Sequence, residues 1–127
     1  MFIIDKYSRI PIYEQLVEQV EHFVMSKILT ADSILPSVRS LSQELSINPN
    51  TIQKAYSELE RRGICYSVPG NGRFISKDAL TIITGQKKSN INEIAQLSHE
   101  LKQAGYPLDD VLKAVIAAYA ESGKDQL

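Results

Sequence analysis

The stretch that decides the fold is Asn48-Pro49-Asn50-Thr51-Ile52-Gln53-Lys54-Ala55-Tyr56-Ser57-Glu58-Leu59-Glu60-Arg61-Arg62-Gly63. It begins with a residue suited to accept a free backbone N–H, followed by a proline whose fixed φ and missing N–H fit a first helical position. It ends at a glycine that can turn left-handed and stop a helix. Wound at roughly 100° per residue, Ile52, Ala55, Tyr56 and Leu59 fall on one side. Asn50, Lys54, Ser57 and Arg61 fall on the other, flanked by Gln53 and Glu58. The first set predicts packing, and the second predicts an open polar face.

Upstream, Pro11 opens a helix whose stripe is Ile12, Leu16, Val20, Phe23 and Val24, ending near Lys27 or Ile28. Glu14, Glu18 and Glu21 lie mostly off that stripe. Leu29 to Leu35 reads as a short extended link. After Pro36, Ser37 is placed to cap a short helix with Val38, Leu41 and Leu45 on its apolar side. Ser46-Ile47-Asn48 makes a turn.

Downstream, Ile64 to Val68 alternates as a strand does. Pro69-Gly70-Asn71-Gly72 is a turn cluster with an Asn-Gly pair, and Arg73-Phe74-Ile75-Ser76 returns as a second strand. Helix, helix, turn, helix and hairpin in that order make a winged helix-turn-helix, expected over residues 1–77. Residues 78–127 are expected to hold a linker over Thr81 to Ser89, whose beginning, Ala79-Leu80-Thr81-Ile82-Ile83, is apolar enough to pack on another element, and two helices. One starts at Asn90, with Glu93 as a capping-box partner, and carries Ile94, Leu97 and Leu101 before Gly105. The other follows Pro107, carries Leu108, Val111, Leu112, Val115, Ile116 and Tyr119, and ends at Gly123. The very short turn between them predicts an antiparallel hairpin. The fold class is mainly α with one small β-hairpin.

The 127 residues suffice for one small domain with a helical appendage. Net charge is −1, but its distribution is uneven. From Asn48 to Lys77, Lys54, Arg61, Arg62, Arg73 and Lys77 face only Glu58 and Glu60. The single cysteine, Cys65, excludes an internal disulfide and is compatible with a reducing cytoplasm. No apolar run reaches the roughly 18 residues of a membrane span, and the N-terminus does not read as a secretory signal. His22 and His99 have no ligand-like neighbours, so no metal and no cofactor are expected. No Ser/His/Asp or Cys/His set supports an enzyme. Gly70-Asn71-Gly72 precedes no helix, so it is not a nucleotide-phosphate loop.

The open polar side is chemically suited to a major groove, which is about 12 Å wide and admits one helix. Asn50 and Gln53 offer the donor–acceptor pair that matches adenine. Lys54 suits guanine or a phosphate, and Ser57 shares their side. Asn48 and Thr51 sit where free helix N–H groups favour an anion. Arg39 is placed to clamp the DNA backbone. At the hairpin tip Asn71 and Gly72 permit close approach, and Arg73 beside them is placed to reach a minor groove.

The runs Leu35-Pro36-Ser37-Val38-Arg39-Ser40-Leu41, Asn48 to Leu59, Gly63-Ile64 and Gly70 to Ile75, together with Pro11-Ile12-Tyr13-Glu14-Gln15-Leu16, strongly resemble the GntR family of bacterial transcriptional regulators. The match covers about residues 8–76. The resemblance implies that Arg39 contacts phosphate, that Asn48, Asn50, Thr51 and Gln53 occupy the recognition-helix contact positions, and that Asn71 and Gly72 form the wing tip. Ala31-Asp32 stands where many members carry Pro-Gly, and Pro49 where many carry arginine. Asn-Pro-Asn-Thr is usual in the YtrA-like branch. About 49 residues follow the wing, too few for the sensing or aminotransferase-like domains of larger members. The YtrA-like proteins instead have a short helical dimerisation tail and often regulate transporter operons.

These readings predict a cytoplasmic repressor whose two copies pair through Ile94, Leu97, Leu101, Leu108, Leu112, Val115, Ile116 and Tyr119. Such a dimer presents two recognition helices to a palindromic operator, with half-sites about one helical turn or a multiple apart. Two rivals remain open: a ligand-responsive sensor with a pocket between dimer partners, and a winged helix used for protein docking.

Overall fold

A computed structural model of the chain describes residues 1–121. Its elements run α1 (Ile12–Met25), α2 (Val38–Leu45), α3 (Pro49–Arg61), β1 (Cys65–Val68), β2 (Gly72–Ile75), α4 (Ala79–Lys87), α5 (Asn90–Gln103) and α6 (Leu108–Ala120). The chain divides into two units, Met1–Thr84 and Gly85–Leu127.

In the first unit α3 is the centre. It packs against α1, α2 and β1, and Ile52, Ala55, Tyr56 and Leu59 are fully buried, as their spacing predicts. Leu16, Val20 and Phe23 from α1, Leu41 from α2, and Ile64 and Ile75 around the hairpin close the core over them. Both expected caps form. Ser37 Oγ accepts from the Ser40 N–H at 3.0 Å, and Asn48 Oδ1 from the Asn50 N–H at 2.9 Å. Between the two helices Ser46 is left-handed, with φ 54°, and its N–H still bonds Ser42 O. That reversal re-aims the chain from α2 into α3.

The hairpin pairs Cys65 with Ile75, Tyr66 with Phe74, Ser67 with Arg73 and Val68 with Gly72. Its turn is centred on Pro69-Gly70 rather than on the Asn-Gly pair. The Asn71 N–H bonds Val68 O at 2.9 Å, and Gly70 has φ 81°. Proline second and a positive-φ glycine third is the type II pattern, which outcompetes Asn-Gly here because Pro69 pre-sets the first φ. The link before α2 is more than a spacer. Asp32 N–H to Ile75 O, Ile75 N–H to Ser33 O and Leu35 N–H to Arg73 O run alongside β2, with an isolated bridge between Ile34 and Phe74. Asp32 takes φ 67°, so an aspartate fills the left-handed position without glycine.

Two further expectations change. Glu21 is buried in α1, where its carboxylate meets Arg62 at 2.9 Å; a partner on another element makes that burial tolerable. The segment from Thr81, expected as a linker, is helical as α4. Ala79 and Ile83, four residues apart, are buried in the first unit, with Ile82 packed beside them. That anchoring outweighs the roughly 1 kcal/mol helix penalty of Gly85.

In the second unit α5 begins at Asn90 as expected, but without the capping box: Ser89 precedes it in helical conformation and turns its hydroxyl to Gln86 O at 3.1 Å. Gly105, with φ 93°, ends the turn after α5. Neither α5 nor α6 contains a buried residue. The two helices line a groove of about 360 Å³ whose walls include Ile94, Leu97, Leu101, Tyr106, Val111 and Val115. Gly123, the expected end of the last helix, lies outside the described residues.

Candidate nucleic-acid interface

The first unit leaves one side of α3 open. Asn50, Gln53, Lys54, Ser57 and Arg61 are exposed, and Thr51 is half-buried at the first turn. Gln53 Nε2 donates to Ser57 Oγ at 3.2 Å, which extends the Gln53 amide along the open stripe. The Lys54 ammonium sits 3.9 Å from the centre of the Tyr13 ring, so α1 steadies its position. Asn48 is exposed, but its side-chain oxygen is engaged in capping. Ser37 is likewise exposed and engaged by its cap. Arg39, on the first turn of α2, is exposed and forms no hydrogen bond or ion pair among the described residues.

The far half of α3 has a different character. Arg61 holds Glu58 through two contacts, 3.1 and 2.6 Å. That hydrogen bonding lowers the Glu58 carboxyl below the usual range and raises the Arg61 guanidinium. Glu18, Glu21, Glu58 and Arg62 border an open groove between α1 and α3 on this side. At the end of α3 the cations Arg61 and Arg62 are paired with Glu58 and Glu21, whereas Lys54 and Arg39 form no ion pair among the described residues, which suits a helix that meets DNA with its N-terminal residues.

Tyr56 anchors the helix from behind. Its hydroxyl donates to Pro36 O at 2.7 Å, fixing α3 to the residue ahead of the Ser37 cap, and burial pushes its pKa up. The Arg73 guanidinium lies 5.3 Å from the Tyr56 ring centre, and its Nε is 3.9 Å from a Glu60 oxygen. Ser67 Oγ donates to that same carboxylate. Asn71 and Gly72 are exposed at the wing tip, whereas the side chain of Arg73 beside them is folded back onto α3. Sequence reasoning assigned no role to Tyr13 or Glu60. Each acts on a residue distant in the chain, so no local pattern marks it.

The family model for bacterial regulatory proteins of the gntR family matches residues 12–75, the span from α1 through the wing. The chain belongs to the GntR family. This GntR chain is 38% identical over 127 residues to the transcriptional repressor YtrA of Bacillus subtilis, covering 98% of both chains. That match bears out the YtrA-like resemblance. A crystal structure of a transcriptional regulator from Oenococcus oeni shares the architecture with a TM-score of 0.71 and 28% identity, covering 95% of this chain and all of that one. The DNA-binding domain of AraR, solved in complex with operator ORX1, matches with a TM-score of 0.52 and 28% identity over 58% of this chain and 92% of that one. The GntR chain is accordingly a transcription regulator with a DNA-binding helix-turn-helix. No helix among the described residues is long and apolar enough to cross a membrane.

Proposed function

We propose that the protein is a repressor that binds a palindromic operator in the cytoplasm as a homodimer, with α3 in the major groove and the wing over the adjacent backbone. The observation that carries this is the division of α3. Its apolar stripe is fully buried, while Asn50, Gln53, Lys54 and Ser57 are open on the other side. Arg39 is a cation with no partner among the described residues, available to a phosphate. The repressor name of the Bacillus relative and the AraR domain's operator complex support the reading. The YtrA-like resemblance points to a transporter operon as the target.

Dimerisation is assigned to α5 and α6. Leu108, Ile116 and Tyr119 are 71%, 67% and 89% exposed, and Ile94, Leu97, Leu101 and Leu112 are exposed beside them. So many exposed apolar side chains on two helices support an interface there. Selection of bound sequences from a random duplex pool tests the proposal: a two-fold symmetric consensus is expected, and recovery of no consensus contradicts it.

A further inference from the structure

The segment before α1 is a built turn rather than a loose end. Phe2 is buried with its ring edge on Phe23, 5.5 Å between centroids. Gln19 bonds both the N–H and the carbonyl of Ile3. Gln15 then braces the next residues: its Oε1 accepts from the Asp5 N–H at 2.9 Å, and its Nε2 donates to Asp5 O at 2.9 Å and Ile10 O at 2.8 Å. Inside the turn the Tyr7 N–H bonds Asp5 Oδ1, and the Ile10 N–H bonds Ser8 Oγ. These bonds hold a four-residue projection, Lys6-Tyr7-Ser8-Arg9, in one shape.

Its placement gives it meaning. Lys6 Nζ donates to Ser46 O at 3.3 Å. Ser46 is the left-handed residue between α2 and α3, two positions before the Asn48 cap. The Tyr13–Lys54 contact sets the beginning of α1 beside the second turn of α3. Residues 6–13 therefore run along the flank of the N-terminal half of the recognition helix. On that flank Lys6 keeps two further N–H donors, Arg9 is exposed with no ion pair among the described residues, and Tyr7 is 99% exposed. Asp5 is occupied with the Tyr7 N–H, and Glu14 with the Tyr13 hydroxyl. A fully exposed tyrosine between two cations that form no ion pair among the described residues, on a braced turn, contributes no side-chain packing to the fold. With its neighbours it does offer three donor side chains to phosphate oxygens. A helix seated in a major groove is flanked by backbone on each side.

We propose that the Lys6–Arg9 turn grips the phosphate backbone of the operator duplex beside the recognition helix, adding sequence-independent contacts; this rests on the proposed DNA-binding mode of α3. The test uses the full chain, a duplex bearing the selected site and a scrambled duplex of equal length. The double variant Lys6→Gln/Arg9→Gln is expected to weaken binding to both duplexes in the same proportion. It should also shrink the slope of log affinity against log salt by about 2, roughly one for each lost phosphate contact. Lys6→Arg/Arg9→Lys should keep the parental slope, and Tyr7→Ala should weaken both duplexes without changing it. An unchanged affinity and slope in the double variant, while Arg39→Ala shrinks the slope in the same assay, overturns the proposal and leaves the α3 reading standing. A weakened variant with an unchanged slope also overturns it, because the effect then passes through Ser46 and not through charge. If the parent protein itself shows no salt-dependent duplex binding, the α3 reading and this proposal fall together.

Discussion

The Arg73 guanidinium rests over the Tyr56 ring, 5.3 Å from its centre, so the residue next to the wing tip is fastened to the buried side of the recognition helix. The contact ties the wing to α3, the two elements proposed to meet DNA, from behind. Glu60 reinforces it by taking the Ser67 hydroxyl and standing 3.9 Å from Arg73 Nε. The wing and α3 are thus set in one relative position before any duplex arrives.

Arg73→Ala should therefore act on the wing's placement. The cation–π contact is worth about 0.5–2 kcal/mol, so a modest loss of stability is expected in urea denaturation. Duplex affinity should fall while base preference at the α3 half-site stays parental. Arg73→Lys keeps the charge but not the planar stack, and should recover only part of the stability. A variant as stable as the parent would remove the stacking from the account.

In the proposed binding mode, base readout falls to α3 and backbone clamping to α2. Gln53→Ala should change the preferred base at one position of the half-site, as read by selection from a random pool. Arg39→Ala should weaken all sequences alike and reduce the salt slope by about 1. An unchanged preference in the first variant would take Gln53 out of the readout.

The exposed leucines of the last two helices give a prediction about assembly. Leu112→Asp puts a charge into the proposed dimer face, where burial without a partner is costly. Sedimentation should show monomers, and operator binding should weaken because the two half-sites are no longer engaged together. A dimer with parental affinity would contradict the assignment of α5 and α6.

Cys65 supplies a pH-dependent readout. Burial, with a contribution from Glu60, pushes its thiol from 9.0 up to about 11, and the thiol hydrogen is directed to Tyr56 O. The folded state binds this proton more tightly than the unfolded state. Its contribution is full below pH 9 and is lost as pH rises from about 9 to about 11. Stability should decline across that window, and Cys65→Ala should flatten part of the decline. Thiol reagents at pH 8 should react with the unfolded chain and not with the native one.

Much of the fold was legible locally. Asn48 and Pro49 announced the start of α3, Gly63 announced its end, and the spacing of Ile52, Ala55, Tyr56 and Leu59 placed its buried side. Ser37 announced α2 in the same way. These signals need only a few neighbouring residues, since caps act within one turn and periodicity shows along a single helix. The open stripe Asn50, Gln53, Lys54 and Ser57 followed as the complement of the buried one.

Other features were not legible, because their causes lie far off in the chain. The apolar run Ala79 to Ile83 promised packing, but Thr81 to Lys87 is weakly patterned and contains Gly85; it is helical because Ala79 and Ile83 find a place in a core built by α1, α3 and the hairpin. Glu21 is buried because Arg62, forty-one positions away, meets it. Arg73 lies against Tyr56 and Glu60 because strand pairing brings the returning strand of the wing back over α3. By itself, then, the sequence determined the helix starts, the buried stripe and the polar surface, all written in short-range spacing and capping. Only the tertiary structure decided which charges are spent inside the molecule and which, such as Arg39 and Arg9, stay free, since that depends on which distant groups packing brings within reach.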